Sequence, residues 1–132
     1  ASENLSARGA YRLKAAENGR KVVLLATGSE VSLALDVAKA LEGAGIGSDV
    51  VSMPCSELFD AQDKSYRAEL LPRDALIVSI EAGVTLGWER YTGLDGLNIG
   101  INSLGASAPA EALFDYFGLT VEKIVPQITA RL

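Results

Sequence analysis

Three short, largely apolar runs constrain the fold of this chain more than any other feature. They are residues 22–26 (VVLLA), 50–53 (VVSM) and 75–80 (ALIVSI). A strand with one face in water alternates apolar and polar residues, whereas these runs do not alternate. We therefore predict strands that are covered on both faces, as in the central parallel sheet of a three-layer sandwich.

Two weaker strands complete a predicted sheet of five. Residues 11–14 (YRLK) alternate apolar and charged side chains, which is typical of a strand at a sheet edge. Residues 97–101 (LNIGI) form a fifth strand that Gly100 weakens. Segments with helical character lie between the strands, and this alternation predicts a single doubly wound α/β domain.

The segment after the first apolar run predicts a long helix. Thr27 and Glu30 have the spacing of a capping box, in which each side chain binds a free amide at the helix start. The apolar arc of residues 30–44 is wider than contact with one sheet requires. We therefore expect a second element, such as a neighbouring helix or another domain, to cover part of this arc.

Cap residues predict four further helices, and these residues are Ser56, Asp63, Ser107 and Thr120. The helix that follows Ser107 ends at Gly118. Pro126 lies inside the last helix, where it removes a backbone hydrogen bond and clashes with the preceding turn. We expect a kink or a break near Val125.

Composition excludes several kinds of chemistry. The chain has no histidine, which excludes a Ser-His-Asp triad, a histidine acid or base and a zinc site that needs imidazole. The single cysteine, Cys55, excludes an internal disulfide and fits a reducing compartment.

A net charge of -5, without a run of Lys or Arg, argues against nucleic-acid binding. No apolar run reaches the ~20 residues of a membrane span, so we expect a cytoplasmic protein without membrane contact.

The loops after the second and fourth predicted strands form the candidate site, because ligands of doubly wound sheets bind beyond strand carboxyl ends. Free amides at the helix start are suited to an anion such as phosphate. The loop lacks GxGxxG and a P-loop lysine, and Glu30 adds a negative charge, so a capped turn that serves only the fold is the better explanation. A carboxylate after the fourth strand serves as an acid, a base, a hydroxyl partner or a structural group. The candidate anion or regulatory crevice consists of Thr27, Gly28, Ser29, Glu81 and Gly83.

Other candidates have simpler interpretations. Trp88 and Tyr91 lie one helical turn apart and indicate internal packing or an interface. Cys55 has no base beside it and is interpreted as an inert thiol. Asp95 and Gly96 indicate a turn. We assign no catalytic, cofactor-binding or metal-binding residue to the chain.

A series of segments, taken together, resembles the C-terminal domain of transketolase. The segments are 25–34 (LATGSEVSLA), 51–54 (VSMP), 57–62 (ELFDAQ), 81–85 (EAGVT), 87–88 (GW), 105–109 (GASAP) and 114–118 (FDYFG). The resemblance runs from about Asn4 to the end, in the order and spacing of the family. It implies that residues 1–9 are the remnant of an interdomain linker and that residues 10–132 are the domain. The only methionine is Met53, which agrees with a fragment, although excision of an initiator methionine gives the same appearance.

The resemblance also implies a specific sheet. It is a three-layer α/β/α arrangement of five mixed strands in the order 1-3-2-4-5, with the first strand antiparallel to the others. A local signal disagrees, because Asn18 and Gly19 between the first two strands are typical of a tight hairpin. We follow the family, which places the third strand between them.

In this family the parent enzyme transfers a two-carbon ketol unit between sugar phosphates in the pentose phosphate pathway. Thiamine diphosphate and a divalent metal, usually magnesium, sit between other domains at the interface of a homodimer. The chain lacks the family's metal and diphosphate motif, so the resemblance implies a structural, dimer-supporting or regulatory domain that binds no cofactor. The alternatives are an autonomous α/β module for a small anion or nucleotide and a subunit of the related two-chain 2-oxoacid dehydrogenases.

Overall fold

The predicted strands form one mixed sheet. The computed structural model describes residues 5–82, 87–100 and 119–132. In these ranges the strands are β1 (Tyr11–Lys14), β2 (Arg20–Ala26), β3 (Gly47–Ser52), β4 (Leu76–Glu81) and β5 (Leu97–Gly100). Their order across the sheet is β1-β3-β2-β4-β5.

The strand directions confirm the topology that the family resemblance implies. β2 is parallel to both β3 and β4, and β4 is parallel to β5, whereas β1 is antiparallel to β3. The hairpin suggested by Asn18 and Gly19 does not form, because β3 lies between β1 and β2. Burial explains the choice: every residue of β3 is buried, while β1 keeps partly exposed charged side chains that suit a sheet edge.

Helices cover the sheet on both faces. A 3₁₀ turn (Leu5–Arg8) precedes β1, and the α-helices of the described chain are α1 (Glu30–Gly43), α2 (Ser56–Asp60), α3 (Lys64–Leu70), α4 (Glu89–Thr92) and α5 (Val121–Thr129). The helix predicted between Ser107 and Gly118 lies outside the described residues. None of the described helices is long and apolar enough to cross a membrane.

Successive residues of β2 belong to two separate cores. Val22, Leu24 and Ala26 pack with residues of α1 and α5 on one face. Val23 and Leu25 pack on the other face with side chains from the segments before β1 and after β3. This alternation within a strand buried on both sides confirms the three-layer arrangement.

A neighbouring helix covers the wide apolar arc of α1, as predicted. Ile124 and Ile128 of α5 are fully buried in the same cluster as Val37 and Leu41 of α1. The expected break near Val125 is absent, because α5 continues through Pro126 to Thr129. Pro126 removes only its own amide from the helical ladder, and burial of the two isoleucines holds the helix together.

The segment before β1 is packed against the domain. Gly9 and Ala10 are buried, and the Gly9 carbonyl accepts a hydrogen bond from the Cys55 amide at 3.0 Å. The Tyr66 hydroxyl donates to the Ala10 carbonyl at 2.8 Å, and the Arg8 guanidinium lies 5.0 Å from the centre of the Tyr66 ring. The end of the predicted linker region is therefore held against α2 and α3.

Glu42, near the end of α1, forms hydrogen bonds with both the β1–β2 connection and the start of β3. Its side chain is 8% exposed. The carboxylate accepts hydrogen bonds from the backbone amides of Glu17 (2.9 Å), Asn18 (3.1 Å) and Ser48 (3.0 Å) and from the ammonium of Lys14 (3.2 Å). These bonds, first those from the Glu17 and Ser48 amides, hold the pKa of Glu42 well below its usual range.

Asp49 explains why the polar half of β3 is buried. Its carboxylate accepts hydrogen bonds from the Ala16 amide at 2.8 Å and from the Arg20 guanidinium at 3.1 Å. Nε of Arg12 lies 3.2 Å from the same carboxylate. Charged and hydrogen-bonding partners therefore compensate for removing this carboxylate from water.

Candidate functional site

The loops after β2 and β4 meet, as the predicted crevice requires. The hydroxyl of Thr27, immediately after β2, donates a hydrogen bond of 2.8 Å to Oε2 of Glu81, the last residue of β4. The two strands are neighbours in the sheet, and the change of direction in strand order falls between them. Gly83, the remaining member of the predicted crevice, lies outside the described residues.

The predicted capping box is wrong. Helix α1 begins at Glu30 after Ser29, and no side chain caps its amides. The Thr27 hydroxyl donates a hydrogen bond to Glu81, while the Thr27 carbonyl accepts a hydrogen bond from the Glu30 amide at 3.1 Å. Glu30 instead accepts a 3.1 Å hydrogen bond from the Ser29 hydroxyl. The Thr27 hydroxyl donates to a charged carboxylate, and such a charge-assisted bond is stronger than a bond between neutral groups, which explains the different partner of Thr27.

A depression of about 450 Å³ opens beside Thr27 at the carboxyl ends of the strands. The described residues that line it include Thr27, Met53, Pro54, Ser56, Trp88 and Arg90. Hydroxyl, indole and guanidinium side chains therefore line a space of the size of a small-ligand site. We call this space the Thr27 crevice.

The two members of the predicted aromatic pair differ in burial, because Tyr91 is buried and Trp88 is half-buried. Tyr91 is 7% exposed, and its ring centre lies 6.1 Å from that of Phe59 and 5.8 Å from that of Trp88. Trp88 is half-buried and packs against the same core while lining the Thr27 crevice. Tyr91 therefore packs internally, and of the pair Trp88 has the more accessible surface.

A three-residue polar network behind the crevice was missed by sequence reasoning. Arg90 donates a 2.7 Å hydrogen bond to Oδ2 of Asp60, and the Tyr91 hydroxyl lies 3.1 Å from Oδ1 of the same carboxylate. Arg90 also donates to the Tyr91 hydroxyl oxygen, and this bond, followed by charge interactions, raises the pKa of Arg90. Asp60 lies in a motif that the family resemblance had singled out, but nothing local indicates its partners 30 positions away.

The charges of the crevice bear directly on the predicted anion site. Glu81 places a carboxylate 2.8 Å from the Thr27 hydroxyl, and Glu30 adds a second acidic group at the start of α1. Both disfavour an anion at the loop amides. Gly28 has φ of 54°, so it also serves the conformation of the turn. The anion-binding role of residues 27–29 stays a prediction.

A metal-binding cluster is not found among the described residues. No set of three or more His, Cys, Asp or Glu side chains in the described ranges is placed to hold a metal ion. The whole chain has no histidine, so the Thr27 hydroxyl has no imidazole base. Cys55 is half-buried at the start of α2, and Asp95 and Gly96 form the predicted turn before β5.

The bond between Thr27 and Glu81 can be tested by an isosteric substitution. Thr27→Val removes the hydroxyl, and we expect it to lower the free energy of unfolding by about 1 kcal/mol. Thr27→Ser keeps the hydroxyl and should change stability by about 0.5 kcal/mol or less. Urea unfolding followed by circular dichroism measures both variants. Equal stabilities for the valine and serine variants would contradict a contribution from this hydrogen bond.

A comparison with models of protein families shows to which family this chain belongs. Residues 9–120 match the model of the family described as the transketolase-like TK C-terminal domain. The chain belongs to the transketolase C-terminal domain family. The matched range includes the Thr27 crevice and also residues 83–86 and 101–118, which the structure does not describe.

Individual transketolases agree with this assignment. Transketolase of Rhodobacter capsulatus is 43% identical over 137 aligned positions, which cover 99% of this chain and 20% of that protein. The structure of transketolase from Leishmania mexicana matches with a TM-score of 0.82 and 48% identity, covering 91% of this chain and 17% of the other. The structure of transketolase from Campylobacter jejuni matches with a TM-score of 0.86 and 37% identity, covering 98% and 20%. The chain thus spans about a fifth of the length of these relatives.

Proposed function

We propose that this chain acts as the C-terminal domain of a transketolase, a transferase of two-carbon ketol units between sugar phosphates. The observation that carries the proposal is the family match over residues 9–120 together with relatives that are about five times longer. The parent would be a cytoplasmic homodimer in the pentose phosphate pathway. The domain has a structural role and is not catalytic alone. Nothing in the comparisons supports the alternative of an autonomous ligand-binding module.

The described residues do not fit the cofactors of the parent reaction. Thiamine diphosphate requires a divalent metal at its phosphates, and no group of three or more His, Cys, Asp or Glu side chains in the described ranges is placed to hold one. The crevice carboxylate of Glu81 is already hydrogen-bonded to Thr27. In this proposal the preceding domains of the parent hold thiamine diphosphate and magnesium, and this domain contributes no atom to the reaction.

Packing supports an architectural role. The segment before β1 is held against α2 and α3 by the hydrogen bond between Cys55 and Gly9 and by the bond from Tyr66 to Ala10. A domain whose entering segment is fixed in this way can transmit a defined orientation to the domain before it. The accessible surface of Trp88 is our candidate for contact with the preceding domains or with the dimer partner.

Truncation with complementation tests this proposal. The full-length transketolase is truncated before Ser2 and examined in a coupled ketol-transfer assay, with and without this domain added in trans. We expect activity to fall on truncation and to return on addition, but not when an unrelated protein is added at the same concentration. Full activity of the truncated enzyme would contradict the structural role. Absence of ketol transfer by the full-length protein would contradict the proposed parent function.

A further inference from the structure

The fold assembles a basic groove that no run of the sequence indicates. The groove lies between α3 and α4 and has a volume of about 690 Å³. Its charged lining residues are Lys64, Arg67, Arg73, Arg90, Asp60 and Asp74. The chain as a whole has a net charge of -5, so a positive depression on it runs against the overall charge.

One of the two carboxylates in the groove is already neutralised. Both oxygens of Asp60 are occupied, Oδ2 by Arg90 at 2.7 Å and Oδ1 by the Tyr91 hydroxyl at 3.1 Å. Arg90 and Asp60 therefore form an ion pair with each other at the surface of the groove. Lys64, Arg67 and Arg73 are left facing the single carboxylate of Asp74, and the remaining charge of the groove is positive.

Backbone carbonyls orient two of these cations without neutralising them. Arg67 donates through Nε to the Gln62 carbonyl at 3.2 Å. Arg73 donates through Nη2 to the carbonyls of Leu71 at 3.2 Å and Tyr91 at 3.0 Å. Within the described ranges, the terminal nitrogens of Arg67 make no hydrogen bond and the ammonium of Lys64 makes no ion pair. A guanidinium held at Nε presents its remaining N–H groups in a fixed fork, which lowers the entropic cost of binding.

Two neighbouring cations on α3 are available to bind a phosphate group. Lys64 and Arg67 are three positions apart on α3 and therefore share a face of that helix. A guanidinium fork beside an ammonium binds a phosphate through charge-assisted hydrogen bonds. Apolar side chains also line the groove, among them Ala68, Leu71 and Pro72, so its wall combines charged and apolar surface.

We infer that the basic groove binds a small phosphate-bearing anion through Lys64 and Arg67, with Arg73 supplying further positive charge. This site is separate from the residue 27–29 loop, where Glu81 and Glu30 oppose an anion. It does not depend on the ketol-transfer activity proposed for the parent. The volume of the groove is sufficient for a phosphate ester of sugar size.

Titration of the chain with pyrophosphate and with glucose 6-phosphate, followed by amide NMR shifts, tests the inference. We expect saturable shifts at residues 64–74 and 90–91, and none from sodium chloride at equal ionic strength. Saturation by pyrophosphate but not by the sugar phosphate would restrict the ligand to inorganic polyphosphate and still support an anion site. The absence of saturable shifts with both probes, or shifts confined to residues 27–29, would overturn it.

Variants that remove positive charge test whether Lys64 and Arg67 bind the anion. The double variant Lys64→Gln with Arg67→Gln should weaken binding by about tenfold or more, whereas Arg67→Lys keeps the charge and should retain part of the affinity. Lys39→Gln is the matched control, because Lys39 is an exposed lysine on α1, away from the groove. Unfolding temperatures of all variants check that the fold is intact. Equal affinities for the double variant and the Lys39 control would overturn the assignment.

Discussion

Replacing Gly9 with alanine is expected to lower the free energy of unfolding by about 3–5 kcal/mol. Gly9 is buried with φ of 83°, and an added Cβ would lie 2.2 Å from the Phe59 amide nitrogen and 2.3 Å from the Cys55 carbonyl oxygen. Both atoms belong to the backbone, so no side-chain rotation relieves the clash. The bond from the Cys55 amide to the Gly9 carbonyl also prevents the turn from moving away without a further loss.

Gly45→Ala separates the clash from the backbone strain. Gly45 has φ of 82°, and an added Cβ there meets no atom within 4 Å. We expect this variant to lose only about 1 kcal/mol, because strain from the left-handed conformation is its only cost. Urea unfolding monitored by circular dichroism compares the two alanine variants with the wild type. A loss of equal size at both positions would show that close packing at Gly9 contributes nothing beyond conformation.

Replacing Glu42 with glutamine is expected to lower the unfolding temperature by about 5–10 °C. The variant keeps the shape of the side chain but replaces one acceptor oxygen with a donor that faces backbone amides. The amides of Glu17, Asn18 and Ser48 then compete for a single oxygen. Glu57→Gln is the control, because Glu57 is exposed on α2 and its substitution should leave the unfolding temperature almost unchanged. A similar effect of both substitutions would contradict the structural role of Glu42.

Acid sensitivity gives a second readout of the same side chain. Folding lowers the pKa of Glu42 from an ordinary value of 4.5. Its contribution to stability is therefore complete above this ordinary value and is lost progressively as the pH falls toward the lower pKa of the folded state. The wild type should lose stability more steeply than Glu42→Gln between about pH 5 and about pH 3. Parallel pH dependences in calorimetry would contradict this assignment.

Local sequence patterns were sufficient to predict the strands and the burial of α1. The apolar run of β2 and the alternation of β1 correspond to a central strand and an edge strand, because each pattern reflects how many faces of the strand are buried. Local patterns were not sufficient to predict the strand order. Asn18 and Gly19 favour a hairpin between β1 and β2, but β3 packs between these two strands. That order came from the family resemblance, which summarises long-range contacts that a single local pattern does not contain.

The polar contacts could not be predicted, because their partners are distant in the chain. The sequence pattern predicted a capping box of Thr27 with Glu30, three residues away. In the structure the Thr27 hydroxyl donates to Glu81, 54 positions away. Glu42 looked like one more surface residue on an amphipathic helix, and only the folded chain places three backbone amides around it. The basic groove has the same origin, since α3, α4 and the turn before β4 contribute one or two cations each.

The position of β1 has a consequence for the order in which the protein folds. Among the described strands, β1 is bonded to the sheet through β3 alone, and Tyr11 pairs with Ser52 across all of β2 and α1. The strand has no edge to bind until β3 has joined β2, and closing so long a segment is slow. On a growing chain, β1 is synthesised before β3 and must therefore wait for it. In hydrogen exchange, the amides of β1 should gain their protection after those of β2 and β3 and be the first of these three to lose it.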